Sequence, residues 1–231
     1  MPTEPDADAN WRPPPARLSL PRHEVHVWRA SLDQPHRLDD LFATLAPDEQ
    51  QRAARLRQAQ DRERFIVARG LLRTLLGLYL NRHPDSLAFR YSAHGKPALA
   101  EAMNADVRFN LSHSQGLALF AFARGRDLGI DLESMRREVA AEQVAERFFS
   151  PAETAALRAL PAAQQAEAFF DCWTRKEAYI KARGEGLARL GAAAEEIEAA
   201  GWSLIELAPG AGFKAALVVE GEDFRLRCWQ G

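Results

Sequence analysis

The chain has 231 residues, of which 47% are hydrophobic and 27% charged, and these proportions are typical of a globular protein. The formal net charge of -2 argues against a protein that holds nucleic acid or an anionic membrane by a strong positive excess. The two cysteines, Cys172 and Cys228, lack metal-ligand spacing, so we expect no structural zinc, no disulfide framework and a cytoplasmic protein. No apolar run approaches the roughly 18 residues that cross a bilayer.

The first 22 residues are acidic and then proline-rich, without the charged-then-apolar order of a signal peptide. We expect residues 1–22 to form a flexible leader. The segment EVHVWRA (24–30) then alternates apolar and polar residues and predicts a strand.

A long helical stretch begins at Pro47, and we predict a break near residues 58–61 that divides it into two helices. Residues 52–73 carry seven arginines against two acids, the most concentrated positive charge in the chain. The second helix has an apolar face. The residues that we expect this face to bury are Phe65, Ile66, Leu72, Leu75 and Leu76.

The middle of the chain predicts short strands separated by turns. SLAFRYS (86–92) is followed by the turn HGKP (94–97) and by VRFNLSHS (107–114). The apolar strand LALFAFA (117–123) then leads through RGRD into LGIDLE, and we predict that these last two strands form a hairpin.

The second half begins with a helix over 139–149, followed by SPAE (150–153), a capping box with an added N1 proline. Helices are predicted over about 153–160 and about 164–183, the second ending at Gly184, and then a meander of three strands. Each half therefore combines helices with a few strands. We predict an α+β protein of two comparable lobes, residues 23–127 and 128–231. The strands of the meander are expected at 202–207, 213–219 and 224–229.

Asp131 and Glu133 occupy alternate positions of the strand GIDLES (129–134), so both carboxylates point to one face. Like charges on one face repel unless a positive charge lies between them. Two interpretations are open: a solvated strand end beside Arg136 and Arg137, or a metal site.

The segment 169–187 predicts a helix with an apolar arc formed by Phe169, Phe170, Trp173 and Ile180. Glu177 lies inside this arc and Lys181 at its edge. The two residues could form an ordinary exposed i,i+4 pair. Alternatively, a cation shared with the two strand carboxylates could satisfy Glu177 where burial would otherwise be costly, and Mg²⁺ suits such oxygen ligands. The other charged residues, which we expect to be solvated, are Arg175, Lys176 and Arg183.

Five segments in order resemble the 4′-phosphopantetheinyl transferases of the surfactin-synthetase-activating type: HGKPAL, VRFNLSHS, GIDLE, FFSPAE and WTRKEAYIKARGEGL. The resemblance covers residues 24–231. It implies a pseudo-twofold pair of α+β lobes, each a small antiparallel sheet packed with helices, with coenzyme A in the cleft between them. It also implies transfer of the phosphopantetheine arm of coenzyme A to a serine of an acyl or peptidyl carrier protein, with release of adenosine 3′,5′-bisphosphate.

The resemblance assigns roles to particular residues. Asp131, Glu133 and Glu177 would hold Mg²⁺ against the pyrophosphate. Glu177, or a water held by the metal cluster, would accept the serine proton, and Lys181 would contact the pyrophosphate and stabilise the leaving phosphate. These roles agree with the general needs of phosphoryl transfer, which are positioning, charge neutralisation and a base.

The resemblance also implies a coenzyme A site in the first half of the chain. Lys96, Ser112 and His113 would contact its phosphates, whereas Arg52 and Arg64 match positions near the 3′-phosphate and could equally be ordinary helix-surface arginines. Family members often have a basic residue three positions before Arg52, where this chain has Glu49. That departure weakens one expected phosphate contact.

Two other functions are open at this point: a Mg-dependent hydrolase of a coenzyme A-like pyrophosphate, and a non-catalytic module that binds coenzyme A or a carrier protein. We expect an apo carrier protein and coenzyme A as partners, without nucleic acid or membrane. The family further implies a monomer, because the dimer-like interface lies within one chain.

Overall fold

The computed structural model describes residues 11–33, 38–103, 105–135, 141–185 and 201–231. The helices in these residues are α1 Leu38–Ala43, α2 Pro47–Arg55, α3 Ala59–Leu80, α4 Ala141–Phe148, α5 Pro151–Ala159 and α6 Ala162–Arg183. The strands are β1 Glu24–Ser31, β2 Phe89–Tyr91, β3 Pro97–Leu99, β4 Val107–Ser114, β5 Leu117–Arg124, β6 Leu128–Ser134, β7 Trp202–Leu207, β8 Phe213–Glu220 and β9 Arg225–Gln230.

The larger strands form two sheets, one in the order β4-β5-β1-β9 and one in the order β6-β8-β7, and β2 pairs with β3. The predicted α+β class is confirmed. The predicted hairpin of β5 and β6 is wrong, because β5 pairs with β1 and β4 whereas β6 pairs with β8 in the other sheet. Both strands are apolar, and their apolar faces meet across the space between the sheets instead of side by side.

The predicted C-terminal meander is correct for β7 and β8, which pair antiparallel, and wrong for β9. β9 crosses to the first sheet and pairs in parallel with β1, so that Cys228 lies opposite Val27. Cys228 and the partly buried Leu226 contact the core between the sheets, and this burial favours the crossing.

The core is arranged in four layers: α3, the first sheet, the second sheet and α6. Leu72 and Leu76 of α3 pack with Phe120 on one face of the first sheet. The opposite face packs against Ile130 and Leu132 of β6. α6 covers the far side of the second sheet, and because residues alternate along a strand, Asp131 and Glu133 are directed to that side.

The break between α2 and α3 and the placement of the leader both differ from the predictions. The break between α2 and α3 lies at residues 56–58, slightly before the predicted position, and Phe65 is half-buried while the other four predicted apolar residues are buried. Part of the predicted leader lies on the folded body, because the indole of Trp11 donates to the carbonyl of Ala208 at 2.7 Å and Arg12 bridges to Trp229. The lobe boundaries stay predictions.

Lys176 is buried, with 1% of its side chain exposed, and the prediction that it is solvated is wrong. Its ammonium lies 2.8 Å from Glu153, the residue that also accepts from the backbone N–H of Ser150 at the start of α5. The capping box is therefore confirmed, and its glutamate has a second contact, to α6. Arg175 and Arg183 are exposed, as predicted, and Gly184 ends α6 with a left-handed φ of 68°.

No helix in the described part of the chain is long and apolar enough to cross a membrane.

Candidate active site

α6 lies unusually close to β6, and Gly129 permits this approach. A Cβ added at Gly129 would lie 2.1 Å from the carbonyl oxygen of Ala178 and 2.2 Å from the amide nitrogen of Ala182. Any side chain there would push helix and strand apart. The absent side chain therefore allows Glu177 and Lys181 of α6 to lie beside Asp131.

A cavity of about 430 Å³ lies at this contact. Its walls come from β4 in the first sheet, β6 in the second sheet and α6, so that both predicted lobes contribute. Among the described residues it brings together six of the predicted site residues from three distant parts of the sequence. The residues that line it are Leu111, Ser112, His113, Asp131, Leu132, Glu133, Trp173, Glu177 and Lys181.

The ammonium of Lys181 donates to Asp131 Oδ1 at 2.5 Å and to Ser112 Oγ at 3.2 Å. Ser112 Oγ in turn donates to the same carboxylate oxygen at 3.0 Å. Asp131 is only 3% exposed, and its Oδ2 has no hydrogen-bond partner among the described residues. A buried carboxylate oxygen without a partner is costly, which indicates a place for a cation or a donor.

Glu177 is half-buried on the same wall. The pKa of its carboxyl group is raised to about 7, mainly by burial and also by the charges of Asp131 and Glu133, while Lys181 lowers it in part. For Lys181, burial lowers the pKa, but the three carboxylates outweigh it and the net direction is upward. The site therefore pairs a firmly charged lysine with a carboxyl group whose pKa lies near neutrality, and such shifts are frequent at functional sites.

The donor set of this cavity fits Mg²⁺, which prefers hard carboxylate oxygens. In the described residues, however, no group of three acidic, histidine or cysteine side chains is arranged to hold a metal. Lys181 lies on Asp131 and supplies the positive charge in this arrangement. The carboxylate chemistry and the partnerless Asp131 Oδ2 fit the ion, provided that Lys181 moves off that carboxylate.

His113 lies at the cavity among the cations of the first half. Its ring is exposed, yet desolvation and then the charges of Lys181, Arg64 and Arg52 lower the pKa of the imidazole. Two of the predicted coenzyme A residues, Arg52 and Arg64, therefore contribute to the positive field at a third, His113. The guanidinium of Arg64 forms two hydrogen bonds with Asp33, at 2.6 Å and 2.7 Å.

A second cavity of about 290 Å³ is lined by Arg52 and by Gly95 of the HGKP turn. Glu49, which replaces the expected basic residue, is 2% exposed and accepts hydrogen bonds from Arg69 and Arg73. Two guanidinium groups therefore neutralise its carboxylate. Arg69 itself lines the cavity, and it supplies a cation there that the sequence pattern did not indicate.

The side chain of Lys96 is not among the residues of either cavity. Its ammonium donates to the carbonyl oxygens of Leu128 and Ala182, each at 3.1 Å. Desolvation lowers its pKa to about 8. The predicted contact with coenzyme A phosphates stays a prediction, and the observed contacts join the HGKP turn to β6 and α6.

The sequence reasoning missed Asn110 and Ser114, which flank Ser112 at alternate positions of β4. Their side chains accept hydrogen bonds from the β6 backbone, at 2.9 Å from the amide of Ile130 and 3.1 Å from that of Ser134. The signal was present in the polar alternation of NLSHS, which a strand directs to one face.

Comparison with known proteins confirms the family that the sequence motifs indicate. A family model described as the 4′-phosphopantetheinyl transferase superfamily matches residues 127–224, and another, described as 4′-phosphopantetheinyl transferase, N-terminal, matches residues 26–124. The chain is 44% identical to the 4′-phosphopantetheinyl transferase HetI of Nostoc sp., over 95% of this chain and 97% of that protein.

More distant relatives carry the same activity in their names. The 4′-phosphopantetheinyl transferase Sfp of Bacillus subtilis is 28% identical over 71% of this chain and 72% of its own length. The 4′-phosphopantetheinyl transferase AcpT of Escherichia coli is 38% identical over 55% of this chain and 60% of its own length. These matches support a transferase over the hydrolase and the non-catalytic module. The chain belongs to the 4′-phosphopantetheinyl transferase superfamily, whose members transfer phosphopantetheine from coenzyme A to a carrier protein.

Proposed function

We propose that this protein transfers the phosphopantetheine arm of coenzyme A to a serine of an apo acyl or peptidyl carrier protein at the cavity between β4, β6 and α6. The serine oxygen attacks the phosphorus that bears the pantetheine arm, and the bond from that phosphorus to the bridging oxygen breaks. The products are the holo carrier protein and adenosine 3′,5′-bisphosphate.

One observation carries the proposal: Asp131, Glu133, Glu177 and Lys181 line the same cavity as Ser112 and His113. The acidic wall suits a cation, and the wall with the imidazole lies in the field of Arg52 and Arg64, which suits phosphates. A ligand that joins a diphosphate to a divalent ion would satisfy both walls.

Asp131, Glu133 and Glu177 are the residues that we propose to hold Mg²⁺, and the ion would neutralise negative charge on the diphosphate. Glu177, or a water beside it, accepts the proton of the attacking serine, and a pKa near 7 suits a base that works near neutral pH. Lys181 donates to Asp131 in this structure, and a divalent cation held by the carboxylates would take over the neutralisation of Asp131 and leave the ammonium available. Its ammonium then stabilises the negative charge that develops on the leaving phosphate oxygen.

The test is an incubation of apo carrier protein with coenzyme A and Mg²⁺, followed by intact-mass measurement of the carrier. We expect a mass gain of one phosphopantetheine arm and the release of adenosine 3′,5′-bisphosphate. Cleavage of coenzyme A without carrier protein would support a hydrolase instead. Binding of coenzyme A without turnover, across a panel of fatty-acid, polyketide and peptidyl carriers, would support the binding module.

We further propose that the enzyme acts as a monomer in the cytoplasm, with neither nucleic acid nor membrane as a partner. Sedimentation of the purified protein tests the first point, and a shift to a dimer at working concentrations would contradict it.

A further inference from the structure

Among the strands that the structure describes, β6 pairs with β8 alone and so forms the outer strand of its sheet. An outer strand leaves backbone N–H and C=O groups without a neighbouring strand, and buried groups of this kind need partners. β6 carries Asp131 and Glu133. The groups that bond to the backbone along its outer edge therefore also fix the position of these carboxylates.

The partners along this edge are side chains of the other sheet. The amide of Ile130 donates to Asn110 Oδ1 at 2.9 Å, and the amide of Leu132 donates to Ser112 Oγ at 3.2 Å. The amide of Ser134 donates to Ser114 Oγ at 3.1 Å. Three alternate residues of β4 thus serve three alternate residues of β6.

A side-chain oxygen here takes the place of the backbone carbonyl that a neighbouring strand would present. The acceptors are every second residue of β4 and the donors are every second residue of β6. A shift of β4 by one residue would therefore turn all three acceptors away from the edge of β6. Lys96 continues the same edge, because its ammonium donates to the carbonyl of Leu128 at 3.1 Å. We call these four residues, Lys96, Asn110, Ser112 and Ser114, the polar seam.

The seam also reaches the carboxylates. Ser114 Oγ accepts from the amide of Ser134 and donates to Glu133 Oε2 at 3.3 Å, as Ser112 Oγ does toward Asp131 at 3.0 Å. Each serine therefore spans from the backbone of β6 to one carboxylate of the same strand. The hydroxyl fixes both where the strand lies and how its carboxylate is oriented.

We propose that the polar seam sets the register of β6 against β4, and that Ser114 is a positioning residue that orients Glu133 toward the proposed metal position. The proposal rests on the proposed function for the role of Glu133. The docking of β6 by side chains does not depend on it.

The first variant is Ser114→Ala. Loss of the acceptor leaves the Ser134 amide without this partner, and we expect its hydrogen exchange to speed up roughly fivefold or more. Loss of the bond to Glu133 should raise the Mg²⁺ concentration for half-saturation roughly tenfold, measured by calorimetry in the presence of coenzyme A. KM for coenzyme A should stay within about twofold, since one neutral hydrogen bond to the carboxylate is lost and not a phosphate contact. Ser114→Thr keeps the hydroxyl and should restore both values.

Ser203→Ala is the matched control. Ser203 lies on β7, at the other edge of the same sheet, and its Oγ donates to the carbonyl of Gly221 at 2.7 Å. It should leave Ser134 exchange and Mg²⁺ half-saturation unchanged. Asn110→Ala separates the two parts of the proposal, since Asn110 contacts the backbone of β6 but no carboxylate in the bonds above. We expect faster exchange at Ile130 with a smaller change in Mg²⁺ half-saturation than in Ser114→Ala.

Unchanged hydrogen exchange of the Ser134 amide in Ser114→Ala would contradict the proposal that the polar seam holds β6. Equal Mg²⁺ shifts in Asn110→Ala and Ser114→Ala, or in Ser203→Ala and Ser114→Ala, would overturn the positioning of Glu133 by Ser114. If the wild-type protein transferred nothing to any carrier while these exchange changes were observed, the proposed function would fail and the seam would stand.

Discussion

Two lysines meet the last turn of α6 in opposite electrostatic surroundings. Lys181 belongs to that turn and donates to a carboxylate, Asp131, with further negative charge from Glu177 and Glu133. Lys96 comes from the HGKP turn and donates to two backbone carbonyls, one of them that of Ala182 in the same turn. The pKa of Lys181 is raised, and that of Lys96 is lowered to about 8.

The difference shows what determines whether a buried ammonium keeps its charge. Both groups are desolvated, and desolvation alone favours the neutral amine. Carboxylate partners reverse this at Lys181, while the dipoles of two carbonyls do not reverse it at Lys96. The cation at Lys181 is therefore maintained by the acidic wall, which suits its proposed role at the leaving phosphate, whereas Lys96 acts mainly through directional bonds to the backbone.

The largest loss of transfer activity is expected when a carboxylate partner of Lys181 is removed. Asp131→Asn and Glu177→Gln each keep the side-chain volume but delete one negative charge, one proposed metal ligand and, for Glu177, the proposed base. We expect transfer to the carrier to fall by roughly a thousandfold or more, measured by intact mass. Both variants should remain folded, as shown by cooperative unfolding in urea. Full transfer by either variant would contradict the site assignment.

A smaller effect is expected from removing the cation itself. Lys181→Ala should lower kcat roughly a hundredfold, because the ammonium matters most when charge develops on the leaving oxygen. The apparent affinity for coenzyme A, measured by calorimetry, should fall far less. A variant with wild-type kcat would remove Lys181 from the mechanism, and Lys181→Arg serves as the control that keeps charge but changes shape.

The parts of the site that sequence could predict are those that follow from local periodicity. Strand alternation directs Asp131 and Glu133 to one face, and helical spacing puts Glu177 on the buried arc, so the structure brings these residues to one cavity. The capping box of α5 was also correct, because it depends on four consecutive residues.

The parts that could not be predicted depend on contacts between distant segments. β9 pairs with β1 across almost the whole chain, and no local pattern distinguishes this crossing from a third meander strand. Lys176 borders Phe169 at the edge of the apolar arc, and its burial depends on the packing of α5, where Glu153 neutralises its charge. The polar seam likewise requires knowledge that the polar face of β4 meets the outer edge of β6, which belongs to the other sheet.

The smallest expected effect is on the pH dependence of stability, which tests the lowered pKa of Lys96 directly. For Lys96, a folded-state pKa of about 8 lies below the ordinary lysine value of 10.5, so between these values the unfolded chain binds more protons than the folded one. Stability is therefore lower below pH 8 and rises with pH up to about 10.5. The total rise attributable to Lys96 is about 3 kcal/mol, at 1.36 kcal/mol for each pKa unit.

Lys96→Met should abolish this rise, as measured by urea unfolding of wild type and variant from pH 7 to pH 10.5. Lys214→Met is the matched control, and its difference from the wild type should stay constant up to about pH 10.5. Although burial lowers the pKa of Lys214, its bonds to Glu167 and Asp171 raise it overall, so its contribution is present below the unfolded pKa and is lost as pH rises through the folded one. If Lys96→Met and the wild type kept a constant difference in unfolding free energy across this window, the pKa of Lys96 would not be lowered, and the contrast between carbonyl and carboxylate partners would not hold.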